Sequence, residues 1–156
     1  MPRLRGVQAI TVLIGVVLNM GYFAYSALAQ DHSIARVFNL DDIPWGPAGG
    51  GNGFPVGVRT AQMGLDSNSG GITYYAEFPA GSKFDSHWHT HDEFVVVANG
   101  SLAIQMGEDK HVLKTGSYIV IPGSVRHEWS VPDGSEDAII LVRRAGPADF
   151  YFAPSP

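Results

Sequence analysis

The chain has 156 residues, a formal net charge of −5, and 45% hydrophobic against 16% charged residues, which is the size and composition of one compact globular domain. It has no cysteine, and this excludes disulfides, thiolate metal ligands and a cysteine nucleophile. The ten lysines and arginines are scattered, with Arg143-Arg144 the longest basic run, so nucleic acid is not an expected partner.

Residues 1–29 read as a secretory signal peptide. Arg3 and Arg5 give a short basic start, an almost uncharged apolar run extends from Val7 to about Tyr25, and Ala27-Leu28-Ala29 has small residues where a signal peptidase reads them. That three-part order predicts cleavage after Ala29. Cleavage removes two of the ten basic residues and none of the fifteen acidic ones, leaving a net charge of −7. The expected product is an acidic periplasmic or secreted protein without a membrane anchor.

Residues 30–55 form a Pro/Gly-rich arm, with Pro44, Pro47, Gly49-Gly50-Gly51, Gly53 and Pro55 crowded into its second half. Neither a helix nor a central strand tolerates that density of breakers. The arm is either solvated, or a flap or dimer arm pinned by Trp45 and Phe54.

A barrel is expected over 56–145 and a C-terminal tail over 146–156. Short β-rich runs recur at Val56–Met63, Gly71–Phe78, Glu93–Ala98, Ser101–Met106, His111–Thr115, Ser117–Ile121, Arg126–Val131 and Asp137–Val142. Turn residues such as Pro79-Ala80-Gly81, Asn99-Gly100 and Pro122-Gly123 separate them. Many short strands with such punctuation, and no sustained 3.6-residue period, predict an all-β sandwich or barrel. Asn99-Gly100 suits a two-residue type I′ hairpin. Val97, Val95 and Glu93 would then share a face with Leu102, Ile104 and Met106. A carboxylate on that apolar face is costly unless paired, hydrogen-bonded or bound to a metal. The runs Ser117–Ile121 and Asp137–Val142 are apolar on both parities, as strands covered on both sides are, either between sheets or at a subunit contact.

Three histidines fall in five residues, His87-Trp88-His89-Thr90-His91, and Glu93 follows. Alternate residues of a strand point the same way, so His87 and His89 can offer two imidazoles to one metal ion. An extended chain at roughly 3.3 Å per residue would carry Glu93 about 13 Å past His89. A shared ion therefore requires a bend between Thr90 and Asp92. That bend throws His91 off the ion and leaves it a weak candidate for proton transfer. Trp88 alternates away from the ligands.

The spacing Gly81, five residues, His87, one residue, His89, three residues, Glu93, six residues, Gly100 is similar to the first motif of the cupin superfamily at every defined position. Gly116, five residues, Pro122 and then His127 resemble its second motif, although Ser124 stands where the family usually has glycine and Val131 where it often has asparagine. The resemblance implies a cupin-type jelly-roll β-barrel (a double-stranded β-helix), often dimeric. It also implies one divalent transition metal held by His87, His89, Glu93 and His127. Imidazole plus carboxylate suits iron, manganese, nickel, copper or zinc, and four ligands leave room for a small molecule. Tyr74, Phe84, Met106 and Trp129 are candidates for the wall of a substrate pocket, with ordinary barrel core as the plainer reading. The leading expectation is a metal-dependent, dioxygenase-like oxidoreductase acting on a small organic molecule. The alternative is a non-catalytic cupin that binds a metabolite or a metal ion.

Overall fold

The computed structural model describes residues 35–152; the expected leader, 1–29, lies outside them. Among the described residues, ten strands follow a short 3-10 turn at Leu40–Asp42: β1 Arg59–Leu65, β2 Ile72–Phe78, β3 Lys83–Trp88, β4 Glu93–Asn99, β5 Ser101–Met106, β6 Asp109–Lys114, β7 Tyr118–Ile121, β8 His127–Ser130, β9 Ala138–Arg144 and β10 Tyr151–Phe152. They pair antiparallel in two five-stranded sheets, β1-β2-β9-β4-β7 and β10-β3-β8-β5-β6. The two inner faces close on one apolar core, as the alternation of buried and exposed positions requires. Val95, Ile140 and Val142 enter it from the first sheet, and Leu102, Ile104 and Trp129 from the second. This is the jelly-roll barrel expected from the sequence.

The Asn99-Gly100 hairpin does not form. β4 pairs with β7 and β9 while β5 pairs with β6 and β8, so the chain crosses from one sheet to the other at this point. Only Gly100 of the pair takes a positive φ, 73°, whereas a type I′ turn needs two. A side chain at Gly100 would also press on the Asp137 carbonyl at 2.7 Å. The face assignment survives the wrong pairing. Glu93, Val95 and Val97 point inward from one sheet, and Leu102 and Ile104 from the other. The true two-residue hairpin joins β5 to β6, where Met106 pairs with Asp109.

Among the described residues of this chain, β7 is covered on one side only. Tyr118 and Val120 are exposed on its outer face, beside the exposed Val96 of β4. No second sheet covers that face, which leaves a subunit contact as the cover expected for a strand apolar on both parities. Two strands fall outside the β-rich runs of the sequence: β3, whose inward positions hold Phe84 and His87 instead of aliphatic residues, and β10, within the segment expected as a tail, which pairs Tyr151 with Trp88 and Phe152 with His87.

The arm is tied to the barrel along its second half. Gly46 and Gly49 donate their amides to Thr60 and Val58 carbonyls, and Asp85 donates to Gly53. Trp45 meets Tyr75 edge-on, with the Arg59 guanidinium over its ring. Phe54 packs against Phe84, Phe150 and Phe152 at centroid distances of 5.0–5.1 Å.

Candidate metal centre

β3 carries an irregularity that builds the site. Its register on β8 shifts between Phe84, opposite Trp129, and His87, opposite His127. A bulge of this kind re-aims side chains. Here it lets Phe84 and His87 face the interior together despite opposite parity. It also turns the Asp85 carbonyl to within 2.6 Å of His87 Nδ1. His89 follows the end of β3, and the chain bends at Thr90 and His91 before β4 starts at Glu93. His127 opens β8 after the Pro122–Val125 turn, with its Nδ1 3.0 Å from the Val125 carbonyl.

His87, His89 and His127 form a buried group in which one nitrogen from each ring lies within 4.8 Å of the others. Glu93 Oε2 is 3.2 Å from His89 Nε2 and 3.7 Å from His127 Nε2. Two ligand atoms at about 2.1 Å from one ion, roughly at right angles, would be about 3 Å apart, so these separations suit a shared ion. Each Nδ1 faces a backbone carbonyl: Asp85 for His87, Val125 for His127, and Asp149 at 2.6 Å for His89. A proton on Nδ1 donated to a carbonyl leaves the Nε2 lone pair free, the arrangement metal-binding histidines use. His89 Nε2, His127 Nε2 and Glu93 Oε2 are buried without hydrogen-bond partners. Orphaned buried groups of this kind are costly, and a cation among them relieves all three. The residues therefore fit a metal ion.

Electrostatics favour the ligating forms. Burial, helped by neighbouring His127, pushes His87 down to about 3. Burial likewise lowers His127. For Glu93, burial acts to raise the carboxyl, but its contact with His89 and the charge of Arg144 outweigh this and hold it at about 2. Neutral imidazoles and an ionised carboxylate are what metal binding needs.

Arg144 belongs to the site although neither sequence motif includes it. It sits opposite Glu93 in the β4–β9 register and is buried, with Nη1 3.9 Å from Glu93 Oε2 and Nη2 3.2 Å from the Asp149 carbonyl. Nη2 also lies 2.9 Å from His89 Nδ1. That nitrogen cannot accept from Arg144 while donating to Asp149. We assign the proton to Nδ1, because the Asp149 contact is shorter and both donors can share its carbonyl. The sequence signal for Arg144 is parity: it continues the inward row of Ala138, Ile140 and Val142. A buried charge on such a row needs a partner.

The other candidates separate. Phe84 stacks on His87 with centroids 4.0 Å apart, and Trp129 meets His127 edge-on at 6.1 Å. Tyr74 and Met106 are partly buried and pack against the core. His91 stays out of the three-histidine group, its ring lying against Gly146. Trp88 stacks outside on Tyr151. Glu128, on the opposite parity to His127, pairs with Lys83. Phe150 and Phe152 add to the wall beside His87.

A profile of the cupin domain matches residues 74–142. Protein SchB of Streptomyces halstedii is 30% identical over 96 residues, covering 61% of this chain and 67% of its own length. Among solved structures, a cupin-like protein of Thermotoga maritima superposes with a TM-score of 0.61 at 22% identity, covering 78% of this chain and 92% of its own. The polyketide cyclase RemF of Streptomyces resistomycificus gives 0.60 at 13% identity, covering 79% and 88%. At these identities the two structures speak for the fold alone. With the family profile and the two-sheet barrel in agreement, the chain belongs to the cupin superfamily, and its described residues form one cupin barrel.

Proposed function

We propose that this protein is a metal-dependent oxidoreductase of the dioxygenase-like kind that acts on a small organic molecule. The observation carrying the reading is the set of buried, unpartnered ligand atoms: His89 Nε2, His127 Nε2 and Glu93 Oε2, beside His87. A divalent first-row ion held there supplies Lewis acidity and, in the case of iron, manganese, nickel or copper, a redox couple. The chain supplies the rest. Three backbone carbonyls fix the ring orientations. Phe54, Phe84, Phe150 and Trp129 make an apolar aromatic wall that excludes water and suits a flat, hydrophobic substrate.

The test is metal content followed by turnover. Protein matured in the periplasm should carry close to one equivalent of a transition metal. It should consume oxygen with some member of a phenol, diketone and organic-acid panel, and lose this in His89→Ala and Glu93→Ala. Metal bound without turnover under iron, manganese, nickel or copper favours a binding protein. Absence of metal sinks the enzyme and the metal-binding readings and leaves a cupin that binds a metabolite.

We also propose that the chain is exported and cut after Ala29. The order of basic start, apolar run and Ala27-Leu28-Ala29 supports this. Mass analysis of the secreted protein should find Gln30 at the N-terminus; a retained leader contradicts it.

A further inference from the structure

Among the described residues, the buried ionisable side chains are His87, His89, His127, Glu93 and Arg144. Ligating imidazoles are neutral, so the charges of Glu93 and Arg144 cancel. A divalent ion then brings two positive charges into a low-dielectric interior with no further buried anion to balance them; the Asp149 carboxylate, which feels Arg144 and His89, is partly exposed and screened by solvent. Uncompensated buried charge is expensive. The shortfall is larger than in the same ligand set without an arginine.

Arg144 is also not consumed by Glu93. Their 3.9 Å separation is too long for a hydrogen bond, and Arg144 Nε is buried without a partner. The guanidinium is held by the Asp149 carbonyl and by the Phe150 ring 5.0 Å beneath it. It is a fixed cation with donor capacity unspent.

We propose that Arg144 makes this pocket select a ligand that presents an anionic oxygen, such as a carboxylate, enolate or phenolate, over a neutral one. This rests on the metal-centre reading above. Arg144 acts here through the field at the ion and not by reacting, so it is a positioning and specificity residue.

The test uses the full mature chain loaded with cobalt(II), whose visible absorption reports ligand exchange, titrated with acetate and separately with imidazole at constant ionic strength. Arg144→Gln should weaken acetate about tenfold and leave imidazole within about threefold, because only the anion feels the lost charge strongly in a low-dielectric site. Arg144→Lys should keep most of the acetate affinity. Unchanged acetate binding in Arg144→Gln, or equal weakening of both probes, overturns the proposal; the second result would mean that Arg144 only holds Glu93 in place. Should Arg144→Gln fail to fold, the wild-type chain decides. Its cobalt affinity should rise about tenfold when acetate replaces perchlorate, by linkage between ion and counter-anion, and equal affinities overturn the proposal. A chain that takes up no cobalt overturns the metal reading itself, an outcome distinct from cobalt uptake without anion preference.

Discussion

Ser124 donates its backbone amide to the carbonyl of His89 at 2.7 Å. That bond ties the turn before β8 to the bend after β3, and so joins the segment that positions His127 to the segment that positions His89 and Glu93. Gly123 adds a second tie, its amide reaching Asp92 Oδ1 at 2.8 Å. Ser124 makes its bond at φ 67°, in the left-handed region. The family's usual glycine would sit there without strain.

Replacing Ser124 by glycine should therefore stabilise the protein by up to about 1 kcal/mol, since the left-handed penalty of roughly 1–2 kcal/mol exceeds the entropic cost of glycine. Gly123→Ala should act the other way. Its Cβ would stand 2.4 Å from the Thr90 carbonyl oxygen, and relieving a backbone clash of that kind costs roughly 1–3 kcal/mol. Urea unfolding of the two variants beside wild type measures both. Equal midpoints for all three would contradict the account of this turn.

Metal removal should lower stability. A ligand that binds only the folded chain at about 100 times its Kd adds about 2.7 kcal/mol. Chelator treatment should lower Tm by several degrees, and re-addition of the native ion should restore it. His127→Ala should abolish that response while keeping the barrel, as judged by circular dichroism. A chelator-insensitive wild-type Tm would count against the metal centre.

The metal-free protein should lose stability as pH falls. His87 titrates at about 3 in the fold against 6.5 as its ordinary value, and Glu93 at about 2 against 4.5. In both cases the unfolded chain binds more protons between the two values, so stability rises with pH there. The His87 contribution is complete above about pH 6.5 and drains away toward pH 3. That of Glu93 is complete above about pH 4.5 and drains toward pH 2. Urea midpoints of the apoprotein from pH 7 to pH 4 should fall steadily, and His87→Phe should flatten the upper part of the curve. A midpoint independent of pH over this range would refute the sign.

Phe54 contacts three aromatic rings that wall the site. Phe54→Ala should cost roughly 2–3 kcal/mol, less than a full core truncation because the ring is only half-buried. It should also speed metal loss to a bulky chelator, since water and chelator gain a path past Phe84 and Phe150. Stopped-flow release rates read this directly. An unchanged rate in the folded variant would place the access route elsewhere.

Several features are legible in the local chemistry of the chain. The spacing of breakers marks most strands, and period-2 parity places Glu93 on an inward face with Val95 and Val97. Chain length alone demands the bend that Thr90 and His91 make. Parity cannot say which strands pair. It puts Leu102 and Ile104 on the buried face while assigning them to the wrong neighbour, because a crossing between sheets and a hairpin bury the same residues. β3 is hidden because its inward side chains are ligands and aromatics, and β10 because two residues carry no period.

The sequence by itself determined the all-β class, the clustering of His87, His89 and Glu93 within seven residues, and the absence of thiolate chemistry, since each follows from composition and from reach along one chain. Only the tertiary structure decided the partners that come from far away. The bulge that aims His87 depends on the register of β3 against β8. The carbonyl that orients His89 comes from Asp149, sixty residues on, and the cation opposite Glu93 comes from β9. Those contacts exist because two sheets close on a common core, and no local pattern encodes which distant residues that closure brings together.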